Sequence, residues 1–268
     1  MYYKAKKSLG QNFLKSEKAL ADMVRAGDVQ KGDAVLEIGP GKGALTEKIL
    51  RTGAKVIAVE KDRELLPILE EKFQKEVKNG QLTLVEADIL EFDPTNYFLL
   101  STNYKVIANI PYYITGAIIR KFLGIEKQPK TMVLLVQKEV AERIVARNGK
   151  ESLLSLSVKL YGTPKYIDKV AARYFSPAPK VDSAIIAITD ISRKKLANID
   201  EKAFFELLHA GFGHKRKVML KNIEPWAEKN IQLPVIFEKI GISIKARAED
   251  VELAKWIEIF RKIKDTRV

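Results

Sequence analysis

The stretch that decides the fold is Ala34-Val-Leu-Glu-Ile-Gly-Pro-Gly-Lys-Gly43. Five apolar-rich residues read as a buried strand, three glycines follow at alternate positions, and Ala44 opens a helical pattern running to Thr52. Strand, glycine turn and helix start form the first unit of a doubly wound, nucleotide-binding sheet. Glycine permits a positive φ and lets the backbone approach a ligand closely. The spacing is G-x-G-x-G, whereas dinucleotide sites use G-x-G-x-x-G, so the turn alone names no ligand.

Moving outward, Lys55-Val-Ile-Ala-Val59 is a second strand ending on Glu60, 21 positions after Gly39. A carboxylate at the end of the second strand can accept from both hydroxyls of a ribose. The pattern then predicts a helix over Arg63 to Lys78 and a third strand, Gln81 to Val85, with Asp88 beyond it as an acceptor for an adenine amino group. Two acidic strand ends, with no P-loop lysine and no second dinucleotide half, point to an adenosyl ligand lacking a pyrophosphate. That places S-adenosylmethionine ahead of NAD.

A fourth strand, Lys105-Val-Ile-Ala108, runs into Asn109-Ile110-Pro111-Tyr112. Proline fixes its own φ and biases the residue before it to extended backbone, so the turn is stiff. It carries an amide, the Ile110 carbonyl and a flat aromatic face close together. Such a set suits a nucleobase: the ring stacks on Tyr112 while an exocyclic amine donates to Asn109 Oδ1 and the Ile110 carbonyl. An ordinary turn with asparagine as a local turn former is the alternative.

Thr115 is expected to cap a helix over Gly116 to Gly124. Thr131 to Val136 reads as a fifth strand, followed by a helix from Lys138 to Ala146, while Ser152 to Val158 fits helix and strand equally. Lys165 to Ala171 and Ser183 to Ile188 are two further β runs flanking Tyr174-Phe-Ser-Pro-Ala-Pro-Lys-Val181. Phe175 is a candidate second aromatic wall for a base, or a core anchor. Before all of these, residues 4 to 15 look like an irregular basic lead-in, and Ser16 can cap a helix over Glu17 to Ala26. Past residue 190 strand signals give way to helical periodicity over 201–211, 214–223 and 249–263. Two domains are therefore expected, 1–190 and 191–268.

With 47 Lys and Arg against 34 Asp and Glu, the chain carries a formal charge of +13. A polyanionic partner accounts for that balance, and nucleic acid is the first candidate. Lys215-Arg216-Lys217 is the densest cluster of the helical part and reads as a phosphate-contacting surface. The absence of cysteine excludes disulfides, a cysteine nucleophile and thiolate metal sites. His209 and His214 are the only histidines, and no metal site is expected. No apolar run reaches membrane-spanning length, so a cytoplasmic protein with no membrane partner is expected.

Gln11-Asn-Phe-Leu14, Glu37-Ile-Gly-Pro-Gly41, Glu60, Asp88, Asn109-Ile-Pro-Tyr112, Phe175-Ser-Pro-Ala-Pro-Lys-Val181 and Arg247-Ala-Glu249 occur in this order. Together they resemble the KsgA-type small-subunit rRNA adenine N6,N6-dimethyltransferases over nearly the whole chain. The resemblance implies a Rossmann-like class I methyltransferase with a seven-stranded, mostly parallel sheet and a small C-terminal all-helical domain. It implies S-adenosylmethionine held by Asn12, Leu14, Gly39, Glu60, Asp88 and Asn109, with Gly41, Lys61 and Ile89 completing the set. Catalysis would fall to Asn109, Ile110, Pro111, Tyr112 and Phe175. The implied target is two adjacent adenines in the hairpin loop near the 3′ end of 16S rRNA, within a pre-30S particle, approached by a monomer. Two stretches depart from the family pattern: Lys42 follows the second glycine, and an Arg-Arg-Lys-Thr-Leu run reads Lys215-Arg-Lys-Val-Met219. Rival readings are a large-subunit rRNA adenine methyltransferase of the macrolide-resistance type, a DNA adenine methyltransferase, and a non-catalytic assembly or transcription factor.

Overall fold

The glycine-turn unit sits at the centre of a seven-stranded sheet. The structure is a computed structural model and describes residues 3–97, 103–214, 216–227 and 231–265. The chain divides into two compact units, 1–141 with 162–191, and 142–161 with 192–268. The helical unit therefore takes in residues 142–161, ahead of the boundary expected at 190. These residues include a helix over Leu153–Tyr161, so the segment that fitted helix and strand equally is helical.

In the first unit the elements are β1 (Phe13–Leu14), α1 (Glu17–Ala26), β2 (Ala34–Ile38), α2 (Ala44–Leu50), β3 (Lys55–Glu60), α3 (Leu66–Lys72), α4 (Gln74–Lys78), β4 (Leu82–Glu86), β5 (Tyr104–Asn109), α5 (Thr115–Gly124) and β6 (Thr131–Gln137). The helix α6 (Lys138–Ile144) leads out of the unit, α7 (Leu153–Tyr161) follows, and β7 (Thr163–Val170), β8 (Phe175–Ser176) and β9 (Ser183–Thr189) return. The sheet order is β4-β3-β2-β5-β6-β9-β7. The strands from β4 to β6 are parallel, and β9 is antiparallel to both β6 and β7. Strands β2 and β5 are apolar because helices cover both faces of the sheet, and burial of such runs is the main stabilising term.

The chain starts in the middle at β2, proceeds outward through β3 and β4, then returns to β5 on the other side of β2. Connections leave the carboxyl ends of β2 and β5 in opposite directions, which opens a crevice at that point. Ile38 pairs with Ala108 at the end of this register, so Gly39 and Asn109 leave the sheet side by side.

Two local expectations are corrected by packing. The helix expected over Arg63 to Lys78 begins three residues late and breaks at Phe73, where φ is −115° and ψ 34°. The Phe73 ring packs under the glycine turn, so that a Cβ on Gly43 would stand 2.4 Å from it. Thr115 does not cap α5. It lies inside the first turn with helical backbone, Ile114 occupies the cap position, and the buried Thr115 hydroxyl has no hydrogen-bond partner among the described residues. The 3-10 turn at Tyr112–Ile114 runs directly into the helix and shifts its start. Ser16 does cap α1, accepting from Ala19 N–H at 3.2 Å.

The second unit packs α7 with α8 (Glu201–Phe212), α9 (Met219–Ile223), α10 (Leu233–Lys239) and α11 (Leu253–Asp265). Trp256 is fully buried at its centre, stacked on Phe212 at 5.8 Å, with its indole N–H donating to the Val251 carbonyl. Gly211 gives it room, since a Cβ there would meet the indole at 2.2 Å. Helix α10, whose Leu233, Ile236 and Phe237 are buried, was absent from the sequence reading.

Candidate active site

A cavity of about 300 Å³ opens at the carboxyl edge of the sheet, where the crevice was expected. Its wall brings together Gly39 and Gly41 from the glycine turn, Glu60 and Lys61 from the end of β3, Asp88 and Ile89 past β4, and Asn109 to Tyr112 past β5. Asn12 reaches the same wall from the N-terminal segment, 97 positions before Asn109. Residues so far apart converge because parallel strands all deliver their carboxyl ends to one edge.

Each acidic group has a defined state. Glu60 is 6% exposed, and its two oxygens accept from Gly41 N–H at 3.1 Å and Asp62 N–H at 2.9 Å. Burial pushes its pKa above the ordinary carboxylate value, partly offset by those donors. Asp88 is ion-paired with Lys61 at 2.7 Å and accepts from Leu90 N–H at 2.9 Å. The Lys61 ammonium therefore lowers its pKa. Asn109 donates through Nδ2 to the Asn12 carbonyl at 3.2 Å, which leaves Oδ1 as the accepting end of the amide. The Tyr112 hydroxyl lies 2.6 Å from Ser183 Oγ, which pins the tip of the side chain; burial raises its pKa.

A sequence model described as ribosomal RNA adenine dimethylase matches residues 2–265. The chain belongs to the ribosomal RNA adenine dimethylase family. A ribosomal RNA small subunit methyltransferase A of Dehalococcoides mccartyi is 42% identical over 256 residues, covering 94% of this chain and 86% of that protein. One of the same name from Fusobacterium nucleatum is 38% identical, with 97% and 98% covered. Among solved structures, a dimethyladenosine transferase from Plasmodium falciparum has a TM-score of 0.81 at 24% identity, over 96% of this chain and 98% of that one. The 23S rRNA methyltransferase ErmE gives 0.77 at 23%, over 94% and 100%. At these identities the structures show the fold, which is the Rossmann-like class I methyltransferase fold with an added helical part.

In this dimethylase chain some expected site residues lie elsewhere. Phe175 is 4% exposed and packs in the hydrophobic core with Leu14, its partner in the β1–β8 pair, so it is a core anchor and not a cavity wall. Leu14 is buried beside it and borders a neighbouring cavity with Glu37 and Lys42. Arg216 and Lys217 are exposed between α8 and α9; Lys215 lies outside the described residues. Tyr113, 66% exposed at the cavity rim, went unread because an aromatic beside an aromatic carries no periodic signal.

The sequence reading also missed the organisation of the N-terminal segment, which is ordered by Asp62. Tyr3 Oη, Lys6 Nζ (2.7 Å) and Gln11 Nε2 (2.9 Å) all donate to the Asp62 carboxylate. Burial alone would raise the pKa of Asp62, but these donors outweigh it and hold it at about 2. The Tyr3 phenol, partly buried against that carboxylate, is pushed up to about 12.

Glu37 is the remaining buried acid. It is 1% exposed in β2, and neither oxygen has a hydrogen-bond partner among the described residues. Burial pushes its pKa up to about 8.

Proposed function

We propose that this chain methylates N6 of two adjacent adenines, twice each, in the hairpin loop near the 3′ end of small-subunit rRNA during small-subunit maturation. The observation that carries this reading is a single cavity joining a buried ribose acceptor, Glu60, to the stiff turn Asn109–Tyr112. The residues suit S-adenosylmethionine. The cavity offers carboxylates and amide groups to hydroxyls and amines, and Gly39 adopts a left-handed φ of 65° that a side chain would strain. Gly39, Gly41, Glu60, Lys61, Asp88, Ile89, Asn12 and Asn109 would hold it. When bound, it supplies an electrophilic methyl group on a sulfonium.

The chain's own part is positioning. Adenine N6 is a poor nucleophile because its lone pair is delocalised into the ring. Asn109 Oδ1 and the Ile110 carbonyl accept its two hydrogens and favour a pyramidal nitrogen aimed along one line. Pro111 holds those acceptors in place, and Tyr112 supports the base, which must leave its stack to enter. After the first methylation N6 keeps one hydrogen, which one acceptor suffices to hold. A strongly tuned base is unnecessary, since the proton becomes acidic once nitrogen has gained the methyl. The full-length match to proteins named small subunit methyltransferase supports the small-subunit target over the large-subunit one.

Asn109→Ala tests the reading. Methyl transfer to small-subunit particles is expected to fall by about a hundred- to a thousandfold, the loss of one positioned polar group at the reacting centre. Binding of S-adenosylhomocysteine should weaken by no more than about tenfold, because Asn109 is one of several groups around the cofactor and its loss otherwise frees only the Asn12 carbonyl. Normal dimethyladenosine from this variant would remove Asn109 from the reaction.

A further inference from the structure

Residues 3–12, of which 9–12 help to line the cavity, do not enter the core: none of them is buried, and the first buried side chain among the described residues is Leu14. Their carboxyl end is fixed by the pairing of Phe13 and Leu14 with Ser176 and Phe175, and by Lys15 N–H on the Tyr174 carbonyl at 2.8 Å. Gly10, at φ 63°, rests against Pro111 and Tyr113, where an added Cβ would stand 3.3 and 3.2 Å away. At the opposite side the segment is tied to Asp62, whose side chain is only 1% exposed and takes the three donors from Tyr3, Lys6 and Gln11. Asp62 N–H in turn donates to Glu60. Lys42 adds a cover, with its ammonium 5.1 Å from the Phe13 ring centre and 5.7 Å from that of Tyr3. Polar ties thus hold a segment that contributes no buried apolar side chain, the composition of an element able to open locally at low cost.

We propose that residues 3–12 are a strap over the cofactor cavity and that Asp62 is the positioning residue that latches it, setting how long the cofactor stays bound. The inference rests on the cofactor reading above. Each adenine takes two methyls, so spent cofactor must leave and be replaced several times per target. A permanently sealed cavity would stop after one transfer, and an open one would hold the cofactor poorly. A latch made of hydrogen bonds to one carboxylate meets both needs. The same carboxylate is linked through its backbone to Glu60, so closing the strap and fixing the ribose acceptor occur at one point.

The test uses the full chain with S-adenosylhomocysteine as probe. Asp62→Ala removes the latch but also the bond that Glu64 N–H donates to Asp62 Oδ1. A second variant, Tyr3→Phe with Lys6→Ala, removes two latch donors and alters no cavity-lining residue. In both variants, amide hydrogen exchange over residues 6–12 of the ligand-free protein should speed up by about tenfold. Dissociation of S-adenosylhomocysteine, followed by stopped flow, should also accelerate about tenfold, with association unchanged within about twofold. Wild-type dissociation in both variants overturns the latch, whether or not exchange speeds up. Absence of any binding to the wild-type chain overturns the cofactor reading itself, and the latch with it.

Discussion

Replacing Glu60 by glutamine separates two effects that a simple truncation would mix. Both carboxylate oxygens are occupied by backbone donors, Gly41 N–H at 3.1 Å and Asp62 N–H at 2.9 Å. A glutamine side chain must turn its NH2 toward one of them, leaving a buried N–H without an acceptor at about 1–3 kcal/mol. Against that, burial disfavours the Glu60 charge, so a neutral side chain recovers part of the desolvation cost. The two terms are of similar size, and the melting temperature of Glu60→Gln should stay within about 4 °C of wild type. Ligand affinity has no such compensation. The variant loses one of two acceptors for the ribose hydroxyls, and that acceptor is charged, which costs about 1.5–3 kcal/mol. At about 1.4 kcal/mol per decade, S-adenosylhomocysteine should bind roughly 10- to 150-fold more weakly. Titration calorimetry beside thermal unfolding reads both quantities on the same sample. Affinity within about threefold of wild type would refute the assignment of Glu60 to the ribose. A large fall in melting temperature with a matching fall in affinity would show a structural role instead.

Glu37 gives a pH signature. Its folded pKa, about 8, lies above the ordinary 4.5, so the folded state binds more protons over that interval. Stability contributed by the neutral form is therefore complete below about 4.5 and declines as pH rises toward 8. Glu37→Gln should remove that part of the slope and melt higher than wild type at pH 9; parallel melting curves against pH would contradict it. Replacing Lys215, Arg216 and Lys217 by alanine should weaken RNA binding and flatten its salt dependence by about 0.7–0.9 in log–log slope for each phosphate that is no longer neutralised. Filter binding across a salt series checks this, and an unchanged slope would make the cluster a solvated face.

Periodicity and turn chemistry made the first unit legible. Ala34–Ile38 read as a buried strand because four of its five residues are apolar and no polar face repeats along it, and Gly39-Pro-Gly41 read as a turn. The acidic strand ends at Glu60 and Asp88 and the stiff Asn109–Tyr112 turn were readable because in a parallel sheet all strand ends meet at one edge. Phe175 was not decided in this way. An aromatic beside prolines has the same local pattern whether it faces a ligand or the core, and only its pairing with Leu14 placed it inside.

The helix break at Phe73 and the capture of residues 142–161 by the helical unit likewise depend on partners distant in sequence, whereas the start of α5 is displaced by the 3-10 turn that adjoins it. Helix propensity is worth tenths of a kcal/mol per residue, and the burial of one aromatic ring outweighs it. Asp62 is the clearest case. In the sequence it is an ordinary acid at a helix start; in the fold it gathers Tyr3, Lys6 and Gln11 from more than 50 positions away. The sequence by itself determined that Gly39, Glu60, Asp88 and Asn109 stand at or just past strand ends, because strands and their ends follow from local pattern. Only the tertiary structure decided that the N-terminal segment is tied to Asp62 beside it, because hydrogen bonds between distant side chains leave no periodic trace.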